Sequence, residues 1–465
     1  MPRQSQETMA DETRRDSLPV LLTFAIPTVL ALLSTSVYHL ADARFVSSLD
    51  AASSAAIGVA FPLQVLFQAV GFTFGTGGGC LVSASLGAGR RKDASHYASL
   101  SLISSLITGI AIGLVGSFLL QPLAHLLGAS EETVAPAVAY LRYLLPSAPF
   151  LCASPALAQL LRAKGHPWRA SAGLCSGNLF NILLDPLLIR TLSLGIAGAS
   201  LATLIGQGLG FVYLLLLARR SEGEALRLKG LRGELLKKER SILLRGAPSM
   251  VRQGFLALST LLLNRIAAEE GIATVTAMSV VNRLFLLGFA FCAGVAQGAT
   301  PLIGYHYGGG RTRAMQRTVR RAVFLSSALM LGLAIPLLLF TQEILSLFHA
   351  DAAAIAVGTR ALRAQALVFV LHGVITCTTL ALQAVGKNGQ SLLLAGARQG
   401  IFLLPLLAWI PARFGRASFI YAQPVADLLT FLLSLPFLIL LLRKGVSVRR
   451  PNSRGMPSPH ADKRD

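Results

Sequence analysis

Apolar runs recur along the whole chain, from Leu18 to Leu442, and short loops separate them. A run of about 20 apolar residues spans the hydrocarbon of a bilayer as a helix, and only helices or closed barrels satisfy their backbone hydrogen bonds there. These runs are too long and too continuous for barrel strands. Of the 465 residues, only 14% are charged, against roughly 25% in soluble proteins. The sequence therefore predicts an all-α polytopic membrane protein.

The two halves of the chain resemble each other at one fixed spacing. Pro248 lies 221 positions after Pro27, and Arg311 lies 221 positions after Arg90, each pair within similar segments. Each half contains six apolar runs, an even number, so each half begins and ends on the same side of the membrane. The pattern predicts twelve transmembrane helices in two six-helix lobes, related by a parallel internal repeat as in many transporters.

Positive charge is concentrated in alternate loops of a chain whose formal net charge is +21. The segments 90–92, 219–245 and 311–321 are rich in Lys and Arg, whereas an intervening loop carries Glu131 and Glu132. This alternation follows the positive-inside rule and places the basic loops and both termini in the cytoplasm. Because anionic lipid headgroups account for the charge, we expect a multi-pass plasma (inner) membrane protein that binds no nucleic acid.

The repeat and the charged loops divide the chain into five parts. We expect a cytoplasmic N-terminal tail over residues 1–17 and a six-helix N-lobe over 18–218. A cytoplasmic linker, 219–240, follows, and it is either an amphipathic connection or a solvated loop. A six-helix C-lobe occupies 241–444, and a basic cytoplasmic tail, 445–465, ends the chain.

Polar residues in the fifth apolar run are the strongest functional signal. Asn178, Asn181 and Asp185 are spaced by three and four residues, so they share one face of a helix. Pro186 has no N–H and leaves the carbonyl of Ile182 without its helical partner. The resulting set of oxygens suits a proton or a hard cation.

A second carboxylate, Asp42, lies in the first apolar run, and we expect it to share a depth with Asp185. Two carboxylates brought together cannot both stay ionised cheaply, so the pair suits exchange of a proton or a metal cation. At the offset of 221 both acids fall on leucines, Leu263 and Leu406, so the duplicated packing does not require them. Two alternatives remain open: Asp42 could cap a helix at the interface, and a buried arginine could hold Asp185.

Prolines and further polar residues complete the candidate site. Pro27 and Pro186 are candidate bending points of the first and fifth helices, because proline interrupts helical hydrogen bonds. Arg398 and Asp427 fall in neighbouring late helices, where a structural ion pair is favoured over a coupling role. The other candidates, for the lining of a central cavity, are Gln64, Gln68, Gln159, Arg252, Gln253, Arg283, Gln297 and Gln383.

Several segments resemble signatures of the multidrug and toxic compound extrusion (MATE) family, and more closely those of its DinF-like branch. In chain order they are HLADARFV, LLRAKG, NILLDPLLI, QGATPLIGYHYGGG, LQAVGKNGQS with ARQGIFLLP, and AQPVADLL. The likeness extends from about Leu18 to Lys444. It implies twelve helices in two lobes around a V-shaped cavity that opens alternately to each side.

The resemblance also implies a function and a set of site residues. The function is multidrug efflux, the export of amphipathic, often cationic compounds against inward flow of protons or sodium ions. The family's first-lobe cation site would be Asp42, Asn181 and Asp185, with Pro27 as the bending proline. Gln159 stands where the family often has asparagine, which is a departure from the family pattern. We therefore predict a cation-coupled antiporter, monomeric, that acts on small amphipathic molecules by secondary active transport.

Two functions other than antiport make different predictions about the residues of the membrane helices. A flippase for a lipid-linked precursor, of the same broad fold, predicts an arginine-rich cavity, for which Arg252 and Arg283 are the candidates. An intramembrane enzyme would need catalytic motifs, and the apolar runs contain no HExxH, no GxSxG and no paired metal-ligand spacing. We expect no enzyme, no cofactor and no metal beyond transient sodium. A Walker-type phosphate loop is also missing, so transport would have to use an ion gradient.

Overall fold

The computed structural model describes residues 17–47, 49–221, 234–348 and 351–443, and within these ranges the chain is helical with no strand. The predicted all-α architecture is confirmed. The membrane helices of the N-lobe are α1 (Leu18–Ser47), α2 (Ala51–Gly87), α3 (Arg91–Phe118), α4 (Glu131–Leu144 and Ala148–Ala163), α5 (Pro167–Thr191) and α6 (Gly195–Ser221). Those of the C-lobe are α7 (Leu235–Glu269), α8 (Ile272–Gly308), α9 (Thr312–Leu339), α10 (Ala352–Ala384), α11 (Asn388–Phe414) and α12 (Arg416–Arg443). Two short helices, Leu120–Leu126 and Thr341–Ser346, follow α3 and α9.

Twelve helices follow from the described ranges once two irregular spans are counted. Ten helices are long and apolar enough to cross a membrane, and the two bent pieces of α4 together form an eleventh span. The twelfth is α7, which has 35 residues and takes the place of α1 in the repeat. Its first turns are polar, with Lys237, Lys238, Glu239 and Arg240, so its hydropathy is lower than that of the other helices.

The internal repeat is visible in the helix bounds themselves. Helix α8 begins and ends 221 positions after α2, and α9 begins and ends 221 positions after α3. The turns that follow α2 and α8 contain Gly89 and Gly310, with φ of 75° and 70°. Only glycine adopts this left-handed conformation without a steric penalty. The same chain reversal is thus encoded twice by the same residue type.

One helix departs from the repeat. Helix α4 is bent by 51° between Leu144 and Ala148, whereas its counterpart α10 is continuous from Ala352 to Ala384. The break in α4 contains Pro146, which cannot donate a helical hydrogen bond. The corresponding position in α10 is Leu367, so the difference follows from one residue type.

The lobes pack against each other through α1 with α8 and α2 with α7. Gly77 of α2 meets the backbone of Ile242 and Gly246, and at the equivalent place Gly298 of α8 meets the backbone of Phe24 and Ala25. At Gly77 and Gly298 an added Cβ would collide with the facing backbone. Small residues permit such close helix approach in membranes. The interface is therefore a pseudo-twofold crossing built on glycine.

The lobes also meet at the end of the molecule that carries Arg90, Arg91 and Arg311, which we name the basic end. There Gly87 contacts the backbone of Tyr305, and Gly308 contacts the backbone of Ala84. These contacts, again 221 positions apart, lie between the ends of α2 and α8. They hold the two lobes together beside the basic loops.

Polar contacts reinforce the closure of the basic end. Lys238 Nζ of α7 lies 3.1 Å from Asp93 Oδ1 of α3 and 3.1 Å from His96 Nδ1. One position farther along α7, Glu239 Oε2 accepts a hydrogen bond of 3.0 Å from Ser104 Oγ. Helix α7 is therefore attached to the N-lobe by ionic groups, although it belongs to the C-lobe in sequence.

Both ends of the predicted linker fall within helices. Helix α6 continues to Ser221 and α7 already begins at Leu235, so both ends of the predicted linker, 219–240, are helical. The helices extend farther than hydropathy indicates because their last turns emerge from the apolar region. Residues 222–233, on which the predicted amphipathic connection falls, lie outside the described residues, as do 1–16 and 444–465.

Candidate functional site

Two carboxylates are buried in the half of the N-lobe away from the basic end. Asp42 of α1 is 3% exposed and Asp185 of α5 is 0% exposed. The two acids interact electrostatically with each other, and both act on the hydroxyl groups of Tyr38 and Tyr140. The structure thus brings the two predicted acids into one polar cluster, which we name the N-lobe acid site.

Neither carboxylate is fully satisfied within the described part of the chain. Oδ1 of Asp42 and Oδ1 of Asp185 are buried and have no hydrogen-bond partner there. Neither acid forms an ion pair with an arginine or lysine of the described ranges. Asp42 also lies inside α1, before its last turn, rather than at a helix start. These observations favour a binding role over a cap or a structural ion pair.

Asn181 supports Asp185 from the same helix. With its amide oriented to satisfy both groups, Asn181 donates to Asp185 Oδ2 at 3.2 Å. Its oxygen then accepts from the Thr203 hydroxyl at 3.1 Å and from the Thr203 N–H at 3.0 Å. Such an orientation is assigned from the hydrogen-bond network. Thr203 of α6 therefore orients the amide of Asn181, and this amide in turn donates to the carboxylate of Asp185.

Asn178 makes a different set of contacts. Its Nδ2 donates to Ser34 Oγ and to Thr35 Oγ1, each at 3.1 Å. Its Oδ1 accepts from Gln207 Nε2 at 3.5 Å. The amide thus joins α5 to α1 and α6. Asn178 therefore connects α5 and α1, the helices that carry the acids, through hydroxyl groups rather than through the carboxylates.

Several members of this network were not singled out in the sequence. Ser34, Thr35, Thr203 and Gln207 hold the asparagines, and Tyr38 lies beside both acids. A helical signal existed for one of them. Tyr38 precedes Asp42 by four positions, a spacing that puts both on one helix face.

The two predicted bending points, Pro27 and Pro186, differ in their local helix geometry. Pro27 lies inside α1, which runs as one continuous helix. Pro186 ends the regular part of α5, and residues Leu187–Thr191 form a π-helix. Helix α11 also contains a π-helical segment, Ala397–Phe402. Such segments often occur at functional sites, and here one follows Asp185 and the other contains Arg398.

The glutamines predicted to line a central cavity have separate structural partners. Gln159 Nε2 donates to Gln297 Oε1 at 2.8 Å, and this hydrogen bond joins the two lobes. Gln64 Nε2 donates to Tyr140 Oη at 3.0 Å, next to the N-lobe acid site. Gln68 Nε2 lies 3.4 Å from His39 Nε2.

The remaining predicted cavity residues all belong to the C-lobe. Gln383 Nε2 donates to Ser249 Oγ at 3.3 Å, so it serves packing between α10 and α7. Gln253 is buried on α7. Arg283 of α8 lines a cavity of about 360 Å³ within the C-lobe. Arg252 lies one turn before Leu256, which lines the same cavity.

Arg398 and Asp427 form an ion pair, with Nε of Arg398 2.6 Å from Oδ1 of Asp427. Asp427 is completely buried and also contacts two residues of α10. Gln365 Nε2 donates to its Oδ2 at 2.8 Å, and His372 Nε2 lies 3.3 Å from the same oxygen. Unlike the acids of the N-lobe, this carboxylate is surrounded by donors, which fits the structural role expected of the pair.

The N-lobe acid site offers oxygen ligands and exchangeable protons. Carboxylate and amide oxygens bind hard cations, and a buried carboxylate without a basic partner also takes up a proton readily. In the part of the chain that the structure describes, no group of three or more His, Cys, Asp or Glu residues is placed to hold a metal ion. The site therefore suits reversible binding of a small monovalent cation.

Comparison with known proteins gives the same architecture. Multidrug export protein MepA of Staphylococcus haemolyticus (strain JCSC1435) is 28% identical over 434 residues, which cover 92% of this chain and 94% of that protein. MepA of Staphylococcus aureus (strain NCTC 8325 / PS 47) is 26% identical over 436 residues, with the same coverage of both chains. The assignment to the DinF-like branch stays a prediction.

Solved structures match nearly the whole chain, and a family model matches a part of each lobe. Crystal structures of MATE in the straight and in the bent conformation give TM-scores of 0.85 and 0.82, each at 26% identity over 93% of this chain and 98% of that chain. The MatE family model matches twice, over residues 27–187 and 248–409, once in each lobe. These two matches cover more than half of the sequence, and the chain therefore belongs to the MatE family of membrane transporters.

Proposed function

We propose that the protein is a cation-coupled antiporter of the plasma membrane, with both termini in the cytoplasm. It would export amphipathic, often cationic compounds by alternating access, with protons or sodium ions flowing inward. The observation that carries the proposal is the N-lobe acid site, where two interacting carboxylates are buried without a basic partner among the described residues. The MepA relatives, which are named multidrug export proteins, support the class of substrate.

The free-energy cost of burying negative charge would couple the binding of the ion to the release of the substrate. When Asp42 and Asp185 are both ionised, two negative charges share a site of low dielectric, and a cationic substrate is attracted to it. Binding of protons or of a sodium ion neutralises that charge and weakens the attraction. Substrate and coupling ion therefore compete for the same two carboxylates, which is the requirement for exchange rather than cotransport.

Helix α1 connects the acid site to the lobe interface. Asp42 lies toward one end of α1, while Ala25 and Val29 near the other end pack against Gly298 and Gly294 of α8. Pro27 lies between these two contacts and leaves the carbonyl of residue 23 without a helical partner. A change of charge at Asp42 would shift α1 against α5, and the shift would reach the C-lobe through this weakened turn.

Transport by an Asp185→Asn variant tests the proposal. Inverted vesicles containing the protein take up a cationic dye from the medium, and this uptake is driven by a pH step or, separately, by a sodium step, with the higher concentration of the ion inside. We expect the variant to lose at least about tenfold in coupled rate, because a charged partner contributes roughly 1.5–3 kcal/mol to a hydrogen-bonded contact. Undiminished coupled movement would remove Asp185 from the mechanism.

Asp50→Asn is the matched control for this experiment. Asp50 is an exposed carboxylate that caps α2 through a 2.6 Å hydrogen bond from the Ser53 N–H. That hydrogen bond lowers the pKa of Asp50 below its usual value, so the control removes a real charge. Asparagine is an equally good N-cap, and we expect transport to be unchanged.

A further inference from the structure

The C-lobe contains its own polar cavity, in the half of the molecule away from the basic end. Its volume is about 360 Å³, within the range of small-molecule sites, roughly 300–1,000 Å³. Helices α7, α8, α10, α11 and α12 enclose it. Its lining combines polar side chains, among them Ser259, Asn282, Gln365 and Gln423, with apolar ones such as Phe285.

The charge of this cavity is positive and lacks an acidic counterpart. Among the described residues, Arg283 is the charged residue of its lining, and none of the lining residues is Asp or Glu. Arg283 is exposed and forms no ion pair or hydrogen bond with the described residues. Arg252 lies one helical turn from the lining residue Leu256, on the same face of α7. The nearby acid Asp427 is fully buried, ion-paired with Arg398 and hydrogen-bonded by Gln365.

Because the two lobes are repeats, the C-lobe cavity can be compared with the N-lobe acid site position by position. Leu263 lines the C-lobe cavity and occupies the position of Asp42 in the repeat. Gln399, another lining residue, corresponds to Asn178. Equivalent places in the two lobes thus hold an acid site in one and an amide-lined basic cavity in the other.

We propose that the C-lobe cavity binds the carboxylate of a zwitterionic amphiphile, with Arg283 as the charge partner of that carboxylate. The planar guanidinium matches a carboxylate in two parallel hydrogen bonds, and neighbouring amides supply further N–H donors. Phe285 would contact the apolar body of the molecule. The choice of an amphiphile that also carries a positive charge rests on the proposed function.

Two dyes that differ in one group test the inference directly. Tetramethylrhodamine carries a free carboxylate and is zwitterionic at neutral pH, whereas its methyl ester has the same ring system and only the positive charge. Binding of each dye to the purified full-length protein in neutral detergent is measured by fluorescence anisotropy. For Arg283→Gln we expect the affinity for the free acid to fall about tenfold and that for the ester to change less than about twofold.

Two further variants separate local recognition from general effects. Arg265→Gln removes an exposed arginine from α7 that does not line the cavity, and it should leave both affinities unchanged. Arg283→Lys keeps the charge without the planar fork, and it should restore part of the preference for the free acid. Equal weakening of both dyes by Arg283→Gln, or no weakening of either, overturns the inference.

An anionic lipid headgroup offers the same chemistry from another source. Phosphatidylglycerol is therefore added to the micelles, and retained affinity for the free acid supports a solute site. A loss as large as that of Arg283→Gln would assign the cavity to lipid and overturn the proposal. The result is independent of coupled export: a failure of vesicles to move the ester under any gradient contradicts the proposed function, while the difference between the two dyes still decides the cavity.

Discussion

At the scale of single residues, the hydrogen-bond and ionic partners of a buried acid indicate whether it has a structural role or is available for binding. Asp427 accepts from Arg398 and Gln365 and lies against His372, so its charge is compensated permanently. Asp42 and Asp185 each retain a buried oxygen without a partner in the described ranges. A buried charge without compensation is costly, so these two acids can be neutralised by a proton or a cation, as the proposed function expects, whereas Asp427 is already compensated by protein groups.

Replacing both acids together tests whether they act as one unit. If Asp42 and Asp185 share one coupling event, Asp42→Asn and Asp185→Asn each remove it, and the double variant is no slower than the worse single variant. Residues that work as a unit show such non-additive effects. Coupled dye movement in vesicles is the measurement. Losses that multiply in the double variant would show two independent sites.

At the scale of helices, α1 and α7 are the elements that join the lobes. Each begins at the basic end and packs along a helix of the opposite lobe, α1 on α8 and α7 on α2. The contacts depend on glycine, since Gly77 and Gly298 leave no space for a Cβ against the facing backbone. The crossing is therefore close, and any motion of one lobe displaces both helices together.

A single methyl group should disturb this crossing. Gly77→Ala places a Cβ against the backbone of Ile242 and Gly246, and we expect a loss of about 1–3 kcal/mol of stability, the usual cost of overpacking. Gly332→Ala in α9, where nothing lies within 4 Å of the added Cβ, is the control and should be neutral or slightly stabilising. Thermal denaturation of both variants in detergent checks this. Equal midpoints for the two variants would contradict the steric argument.

At the scale of the whole molecule, the lobes are joined at the basic end. Gly87 and Gly308 make symmetric backbone contacts there, and Lys238 of α7 pairs with Asp93 of α3. The hydrophobic cluster around Phe419, near the other end, consists only of C-lobe residues. Under the proposed alternating access the basic end would have to separate, and this ion pair is one of the contacts that would break.

Removing this ion pair should shift the balance between conformations by a small amount. Asp93 is 35% exposed at its side chain, and partly exposed pairs contribute at most about 1 kcal/mol. We expect Asp93→Asn to raise the population with a separated basic end by up to roughly fivefold. Spin labels at positions 92 and 313, exposed in opposite lobes, measure the distance between the lobes. An unchanged distance distribution would show that the remaining contacts hold this end closed without the ion pair.

Topology, duplication and the identity of the two acids were determined by the sequence itself. These features are local or periodic: the length of an apolar run, a helical spacing of three or four, and an offset of 221 are properties of the chain alone. The same reasoning identified Arg398 and Asp427 as a pair, because a charge in an apolar run needs a partner. It did not identify Gln365 and His372, which complete that pair from α10.

The tertiary structure alone decided which polar groups meet. Gln159 and Gln297 bridge the lobes, Gln383 packs between α10 and α7, and Arg283 lines a cavity, although the sequence assigned all four the same role. The partner of a side chain depends on the rotation and closeness of neighbouring helices. Those are set by contacts between distant segments, such as the approach of Gly77 to Gly246, and no pattern within one helix contains them.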